Sequence, residues 1–264
     1  MARRHYNVLM SEDILTQPPP PADARLPYGT DPNQFGELRL PKTKGPFPVV
    51  MNIHGGFWRA NYDLAHAGHL CAALTAQGLA TWNIEYRRVG NKDGGWPHTF
   101  EDIAAAWRYV PQIAKRYNLD TAKSLVMGHS AGGQLALCLA GHESSVKNVV
   151  SLAGVVDLQE AFEEHLSNDA VVEFLGGKPK EVTDHYREAD PMQLSIKSCT
   201  QWLIHGLTDD TVPANFSRNY AQAKKQKGED VHLLEISTAG HFDLIDPHSN
   251  AWPKVEGTVI HVLS

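Results

Sequence analysis

Residues 126–135 read VMGHSAGGQL, a serine enclosed by glycines. An apolar run precedes Ser130, and a run of small residues follows it. This order predicts a β-strand, a sharp turn and an α-helix, which is the arrangement of a nucleophile elbow. A turn of this kind strains the central residue, and only very small neighbours fit beside it, which explains Gly128 and Gly132. The stretch therefore predicts that the Ser130 hydroxyl projects above a sheet and acts as a nucleophile.

The rest of the chain alternates between strand-like and helix-like segments. Strands are predicted at 35–40, 48–53, 79–84, 123–127, 146–152, 201–204 and 231–236. Helices are predicted at 61–77, 100–117, 131–140, 214–227 and 252–262. Such alternation predicts βαβ units, a mostly parallel central sheet and helices on both of its faces. The fold class is therefore α/β.

Two segments depart from this alternation. Residues 1–34 are interpreted as an N-terminal arm, because the prolines at 18–21 favour an extended, stiff connector. The catalytic domain is expected to occupy 35–264. Within it, the polar segment 157–191 reads as an insertion over one end of the sheet, either a lid or a long surface loop.

Composition restricts the class of protein. Hydrophobic residues make up 42% and charged residues 20% of the 264, which is typical of a globular domain. The net charge of -6, without a basic run, argues against nucleic acid or an anionic membrane as a partner. No secretory signal pattern opens the sequence, so a cytoplasmic location is expected. The three widely spaced cysteines indicate reduced thiols, and no metal or other cofactor is expected.

A serine nucleophile needs a histidine base and an acid that orients it. After a predicted strand, LIHGLTDDTVP at 203–213 supplies Asp209 and Asp210, and STAGHF at 237–242 supplies His241 after the last strand. The carboxyl ends of parallel strands meet at one edge of a sheet, where ligands bind. Asp209 is preferred because it lies closer to its strand, although the spacing alone decides weakly; Asp210 would then be exposed or a cap.

The anion formed in acyl transfer needs preorganised N–H donors. HGGFW at 54–58 follows an apolar strand, and its two glycines let successive amides turn towards Ser130. Gly56 and Phe57 are the predicted donors, with Ala131 as the third. His54 is interpreted as a residue that holds this loop by hydrogen bonds.

Together these motifs resemble the α/β-hydrolase superfamily, in particular its esterase branch with a His-Gly-Gly loop. That branch includes hormone-sensitive-lipase-like carboxylesterases and kynurenine formamidases. The markers are HGGFW at 54–58, EYR at 85–87, GHSAGG at 128–133, HGLTDDTVP at 205–213 and GHF at 240–242. The resemblance implies an α/β-hydrolase fold in which Ser130 is the nucleophile, His241 the base and Asp209 the acid. A third glycine, usual in the lipase-like enzymes, is replaced here by Phe57.

The expected function is metal-free cleavage of small carboxylic esters, short-chain or aryl, through an acyl-enzyme. Phe57, Trp58 and Trp96 are candidate walls of the substrate pocket, although a place in the core or at an interface is an equal alternative. The alternative activities are arylformamidase, peptidase, or a non-catalytic binding protein on the same fold. The chain is expected to be a monomer or a homodimer.

Overall fold

The computed structural model describes residues 14–264; the first 13 residues, including the start of the predicted arm, lie outside the described residues. Eight strands form one sheet in the order β1-β2-β4-β3-β5-β6-β7-β8. The strands are β1 (Ala24–Pro27), β2 (Phe35–Arg39), β3 (Phe47–Ile53), β4 (Ala80–Ile84), β5 (Leu119–His129), β6 (Asn148–Leu152), β7 (Thr200–Gly206) and β8 (Val231–Ile236). The β1–β2 and β2–β4 pairs are antiparallel, and all other pairs are parallel. The mostly parallel sheet predicted from the sequence is confirmed.

The central strands are apolar on both faces because helices cover both. In β3, Val49 and Met51 belong to one buried cluster, whereas Val50 between them belongs to the other. The helices are α1 (Gly68–Ala76), α2 (His98–Tyr117), α3 (Ala131–His142), α4 (Leu158–Glu163), α5 (Ala170–Leu175), α6 (Thr183–Ala189), α7 (Asn215–Gln226) and α8 (Trp252–Leu263). Helices α1 and α8 pack with the Val50 cluster, and α2, α3 and α7 pack with the Val49 cluster. In the described range 14–264, no helix has the length and apolar character needed to span a membrane.

The sequence analysis missed β1. This four-residue strand pairs with β2 and alternates half-buried and exposed side chains. Part of the predicted arm therefore belongs to the sheet. A short edge strand that ends in proline carries too weak a pattern to be recognised from sequence.

Two predicted segments also differ in detail. The predicted helix 61–77 is a short 3-10 helix, Leu64–Ala67, followed by α1. The segment 157–191, called the insertion below, contains α4, α5 and α6. Many of its apolar side chains are buried, with Phe174 and Leu175 at 1% exposure or less, and others are partly buried against the same core. The insertion is thus packed into the main core.

Candidate active site

Ser130 occupies the turn between β5 and α3. Its backbone has φ 57° and ψ -122°, a left-handed conformation that is strained for any residue with a side chain. A Cβ added at Gly128 would lie 2.1 Å from the Gly132 carbonyl oxygen, and one added at Gly132 would lie 2.1 Å from that of Ile53. Both positions therefore require glycine. The predicted strand, turn and helix around Ser130 are confirmed.

His241 and Asp209 lie side by side at the carboxyl edge of the sheet. The His241 Nδ1–H donates to Asp209 Oδ2 over 2.7 Å. The other carboxylate oxygen accepts the backbone N–H groups of Thr211 and Val212, at 2.9 and 2.8 Å. Asp210, in contrast, is exposed. Asp209 is therefore the aspartate that can orient His241, and the Nε2 atom of His241 is left free for chemistry.

The charge of Asp209 is stabilised by its neighbours. Burial by itself would raise the pKa of this carboxyl, but hydrogen bonds from His205 and His241 outweigh burial and lower the pKa well below its ordinary value. The carboxylate is consequently ionised across the neutral pH range. A negative charge at this point favours the transfer of a proton to His241.

Ser130 and His241 share one cavity of about 180 Å³. It is lined by Leu15, Gly56, Phe57, Tyr62, His66, His129, Ser130, Thr211, His241 and Phe242. Within residues 14–264 the Ser130 hydroxyl makes no hydrogen bond to His241. Such contacts are often long in an empty site and tighten when substrate binds. The cavity therefore brings the predicted nucleophile and base to one reaction space.

The loop of residues 54–59, called the oxyanion loop below, follows β3 directly. Gly56, Phe57 and Trp58 have φ values of 114°, 49° and 58°, so three successive residues are in the left-handed region. In the described part of the chain, the N–H groups of Gly56, Phe57 and Ala131 donate to no protein acceptor. Ala131 also opens α3, whose amino end favours negative charge. The three predicted donors are thus available to an anion.

A buried ion pair lies beneath the oxyanion loop. His54 Nε2 donates to Glu85 Oε1 over 2.9 Å, and His54 Nδ1 faces the carbonyl oxygen of Gly55 at 2.7 Å. The Tyr86 hydroxyl donates to the His54 carbonyl, and Arg88 pairs with Glu85 at 3.1 Å. Both nitrogens of His54 are occupied, so its place is structural, as the sequence suggested. The EYR motif supplies the partners.

Two further histidines line the cavity, and the sequence analysis gave neither a role. His129 Nε2 donates to the His241 carbonyl oxygen over 3.0 Å. Burial, and then the proximity of His241 and His66, lower the pKa of His129 well below its ordinary value. Burial, and then the proximity of His54, lower the pKa of His66 to about 4. Both rings are therefore neutral near pH 7. The position of His129 beside the nucleophile was the one available signal.

The structure does not bring Trp58 and Trp96 to the cavity. Trp58 is 1% exposed, and its ring stacks on Phe174 with centroids 4.6 Å apart. Trp96 packs against Phe100, with ring centroids 5.4 Å apart. The expectation that both indoles form walls of the substrate pocket is therefore wrong. The alternative given by the sequence analysis holds: Trp58 packs in the core, and Trp96 packs beside it. Phe57, the third aromatic residue expected there, does line the cavity.

In residues 14–264, no group of three or more histidine, cysteine or acidic side chains is arranged to hold a metal ion. The three cysteines are free and buried. The groups that meet at the cavity are a serine, an imidazole oriented by Asp209 and N–H donors of the oxyanion loop.

The sheet order, the Ser130 turn and the arrangement at the carboxyl edge define an α/β-hydrolase fold. The chain belongs to the BD-FAE family, whose model matches residues 37–223.

Curated relatives are similar over most of this chain. Esterase LipC of Mycobacterium tuberculosis is 26% identical over 84% of this chain and 60% of its own length. The probable isoprenylcysteine alpha-carbonyl methylesterase ICME of Oryza sativa is 26% identical over 89% of this chain and 62% of its own length. The chain thus spans about three fifths of these relatives.

Solved structures share the fold. A truncated carbohydrate esterase from gut microbiota has a TM-score of 0.80 and 22% identity, covering 93% of this chain and 99% of that one. Esterase B from Lactobacillus rhamnosis has a TM-score of 0.77 and 20% identity, covering 96% of this chain and 88% of that one. At these identities the structural similarity supports the fold alone.

Proposed function

We propose that the protein is a serine hydrolase that cleaves small carboxylic esters through an acyl-enzyme. The observation that carries this proposal is the 2.7 Å contact between His241 and Asp209 at the cavity that contains Ser130. It fixes the protonated nitrogen of the imidazole on Nδ1 and leaves Nε2 as a base. The names of the relatives, esterase and methylesterase, agree with this chemistry.

In the proposed reaction, His241 Nε2 takes the proton of the Ser130 hydroxyl as Ser130 Oγ attacks the ester carbonyl carbon. The oxyanion that forms accepts hydrogen bonds from the N–H groups of Gly56, Phe57 and Ala131. His241 then returns the proton to the leaving alcohol, and the acyl group remains on Ser130. A water molecule, deprotonated by His241, attacks the acyl-enzyme, and His241 passes the proton to Ser130 Oγ as the carboxylic acid leaves.

The size of the cavity supports a small acyl group. A volume of about 180 Å³ has room for a short acyl chain. Phe57, Tyr62 and Phe242 give it aromatic walls, which suit an aryl leaving group. Arylformamidase activity is the second candidate, because an aromatic residue follows the two glycines of the oxyanion loop and a formyl group would need little space.

The experiment compares wild type with Ser130→Ala on p-nitrophenyl acetate, butyrate and octanoate, and on N-formylkynurenine. We expect the wild type to turn over acetate and butyrate faster than octanoate. Ser130→Ala should lose at least about 10³-fold in kcat, since the nucleophile is absent. Ser144→Ala, a change at an exposed serine, is the matched control and should retain full activity.

The outcomes separate the alternatives. A preference for N-formylkynurenine over all three esters would favour the formamidase. An active Ser130→Ala enzyme would contradict the proposed nucleophile, and an inactive wild type would favour a binding protein.

Two expectations from the sequence remain predictions. The monomeric or homodimeric state can be checked by light scattering of purified protein, and the cytoplasmic location by cell fractionation. The assignment of 35–264 as one catalytic domain, extended by β1, is also our proposal; a chain starting at residue 22 that keeps the activity would support it.

A further inference from the structure

The insertion contacts the oxyanion loop directly. The Phe174 ring lies parallel to the Trp58 ring, at 4.6 Å between centroids and 6° between planes. Next to it, Glu173 Oε2 accepts a hydrogen bond of 2.8 Å from Arg59 Nε. The Arg59 guanidinium also donates to the hydroxyl of Ser167 over 3.0 Å. Two consecutive residues of the loop are therefore held by the insertion.

A third link passes through Gln134, which lies on α3 four positions after Ser130. The Gln134 side chain is fully buried. Its Oε1 accepts a hydrogen bond from Trp58 Nε1 over 2.9 Å, and its Nε2 donates to the carbonyl oxygen of Ala189 over 2.7 Å. The side-chain amide of Gln134 thus joins α3, the helix that follows Ser130 and is called the nucleophile helix below, to the oxyanion loop and the insertion.

The oxyanion loop needs such support because of its backbone conformation. Phe57 and Trp58 both have positive φ. Non-glycine residues in this region are strained, and they persist only when surrounding contacts hold them. The donors Gly56 and Phe57 immediately precede Trp58. A displaced Trp58 would therefore shift the proposed donor N–H groups of Gly56 and Phe57.

We propose that Trp58, Gln134 and Phe174 are positioning residues that hold the Gly56 and Phe57 amides in the orientation required for the oxyanion. The insertion then acts as a fixed support of the anion site and does not open as a lid. This inference rests on the proposed esterase function. In this inference Trp58 does not contact the substrate; it acts by holding the oxyanion loop in place.

The test measures kcat and KM on p-nitrophenyl acetate, and the affinity for phenylboronic acid, which forms a tetrahedral adduct with a nucleophilic serine. Gln134→Met removes both hydrogen bonds and keeps the side-chain length; Trp58→Phe removes the indole N–H. Each variant should lower kcat about 10- to 100-fold, part of the loss typical for an oxyanion donor, with KM changed less than about twofold. Boronate affinity should fall by a similar factor, because the adduct also uses the donors.

The double variant Trp58→Phe/Gln134→Met sharpens the test. Both single changes break the same hydrogen bond, so the double variant should lose little more than the worse single variant. Trp107→Phe is the matched control: its indole donates to Ser145 over 2.9 Å, away from the site, and kcat should not change. If Trp58→Phe does not fold, Phe174→Leu, which removes the stacked ring, replaces it.

The results distinguish this inference from the proposed function. If wild type is active and Ser130→Ala inactive, but Gln134→Met retains kcat and boronate affinity, the positioning role is wrong and the esterase stands. The positioning role would also be wrong if Trp107→Phe lost as much kcat and as much thermal stability as Trp58→Phe. The loss of any indole hydrogen bond would then be enough to lower the activity. An inactive wild type would remove both proposals.

Discussion

Two buried histidine–carboxylate pairs lie at the carboxyl edge of the sheet, and they differ in what they leave free. His54 pairs with Glu85 at 2.9 Å, and His241 pairs with Asp209 at 2.7 Å. All four side chains are at most 3% exposed. Composition, distance and burial are therefore nearly the same in the two pairs.

The difference is at the second ring nitrogen. In His54 that atom faces the carbonyl oxygen of Gly55, so both ring nitrogens take part in contacts that hold the loop. In His241 the Nε2 atom has no such partner within residues 14–264, and the residue lines the cavity with Ser130. A histidine and an acid within hydrogen-bonding distance are thus insufficient evidence of a base. The environment of the other nitrogen decides which pair can move a proton.

The largest effect is expected when the acid of the proposed reactive pair is neutralised. Asp209→Asn should reduce kcat by about 10⁴-fold, because an amide can hold the imidazole in the wrong tautomer and cannot stabilise the imidazolium. Steady-state kinetics on p-nitrophenyl acetate measure the effect. Asp210→Asn is the adjacent control and should change kcat less than about threefold; the reverse ranking would show that Asp210 is the orienting acid.

The corresponding change in the other pair should act on stability more than on turnover. Glu85→Gln leaves Arg88 without its buried counter-charge, and breaking a buried ion pair typically costs about 3–5 kcal/mol. Urea denaturation should show this loss. Below the unfolding transition, kcat should fall far less than in Asp209→Asn. Glu235→Gln, in the more exposed pair with Arg218, should lose at most about 1 kcal/mol. A Glu85→Gln enzyme of normal stability but with a 10⁴-fold lower kcat would place His54 in the chemistry.

A third buried carboxylate sharpens the comparison because its environment is the opposite of that of Asp209. Burial, and then the charge of Asp157, raise the pKa of Asp190 from 3.8 to about 7. Between these two values the folded state holds the proton more tightly than the unfolded chain, so stability falls as the pH rises from about 4 to about 7.

Asp190→Asn removes this dependence. A shift of this size is worth at most about 4 kcal/mol and the new amide group needs a partner, so we expect a gain of about 1–2 kcal/mol at pH 8. At pH 5 the gain should vanish or reverse, because wild-type Asp190 is then protonated. Unfolding at both pH values measures the difference, with exposed Asp184→Asn as the control. An Asp190→Asn effect that is the same at both pH values would contradict the raised pKa.

Local patterns predicted most of the sheet. Seven of the eight strands were predicted: β2 from the alternation of its apolar and polar residues, and the more deeply buried strands from their apolar runs, because strands covered on both faces need continuous hydrophobic sequence. The same reasoning failed at β1, whose side chains alternate weakly at an exposed edge. The sequence analysis also predicted one helix where the structure has the 3-10 helix Leu64–Ala67 followed by α1, since the apolar residues of both keep one helical spacing.

The sequence alone was sufficient to predict which residues meet at the carboxyl edge of the sheet. Ser130, Asp209 and His241 follow strands that end at the same edge of the sheet, and the glycines around Ser130 are required by backbone contacts within the turn. These are local signals, readable because turn geometry and strand order depend on a few neighbouring residues.

The roles of residues far apart in the chain became visible only in the folded structure. Trp58 and Gln134 are 76 positions apart, and His129 and His241 are 112 apart. No periodicity or spacing records such contacts, because they arise when the insertion, the nucleophile helix and the oxyanion loop pack together. The structure therefore moved Trp58 from the expected pocket wall to the support of the loop, and it brought His129 and His66 to the cavity.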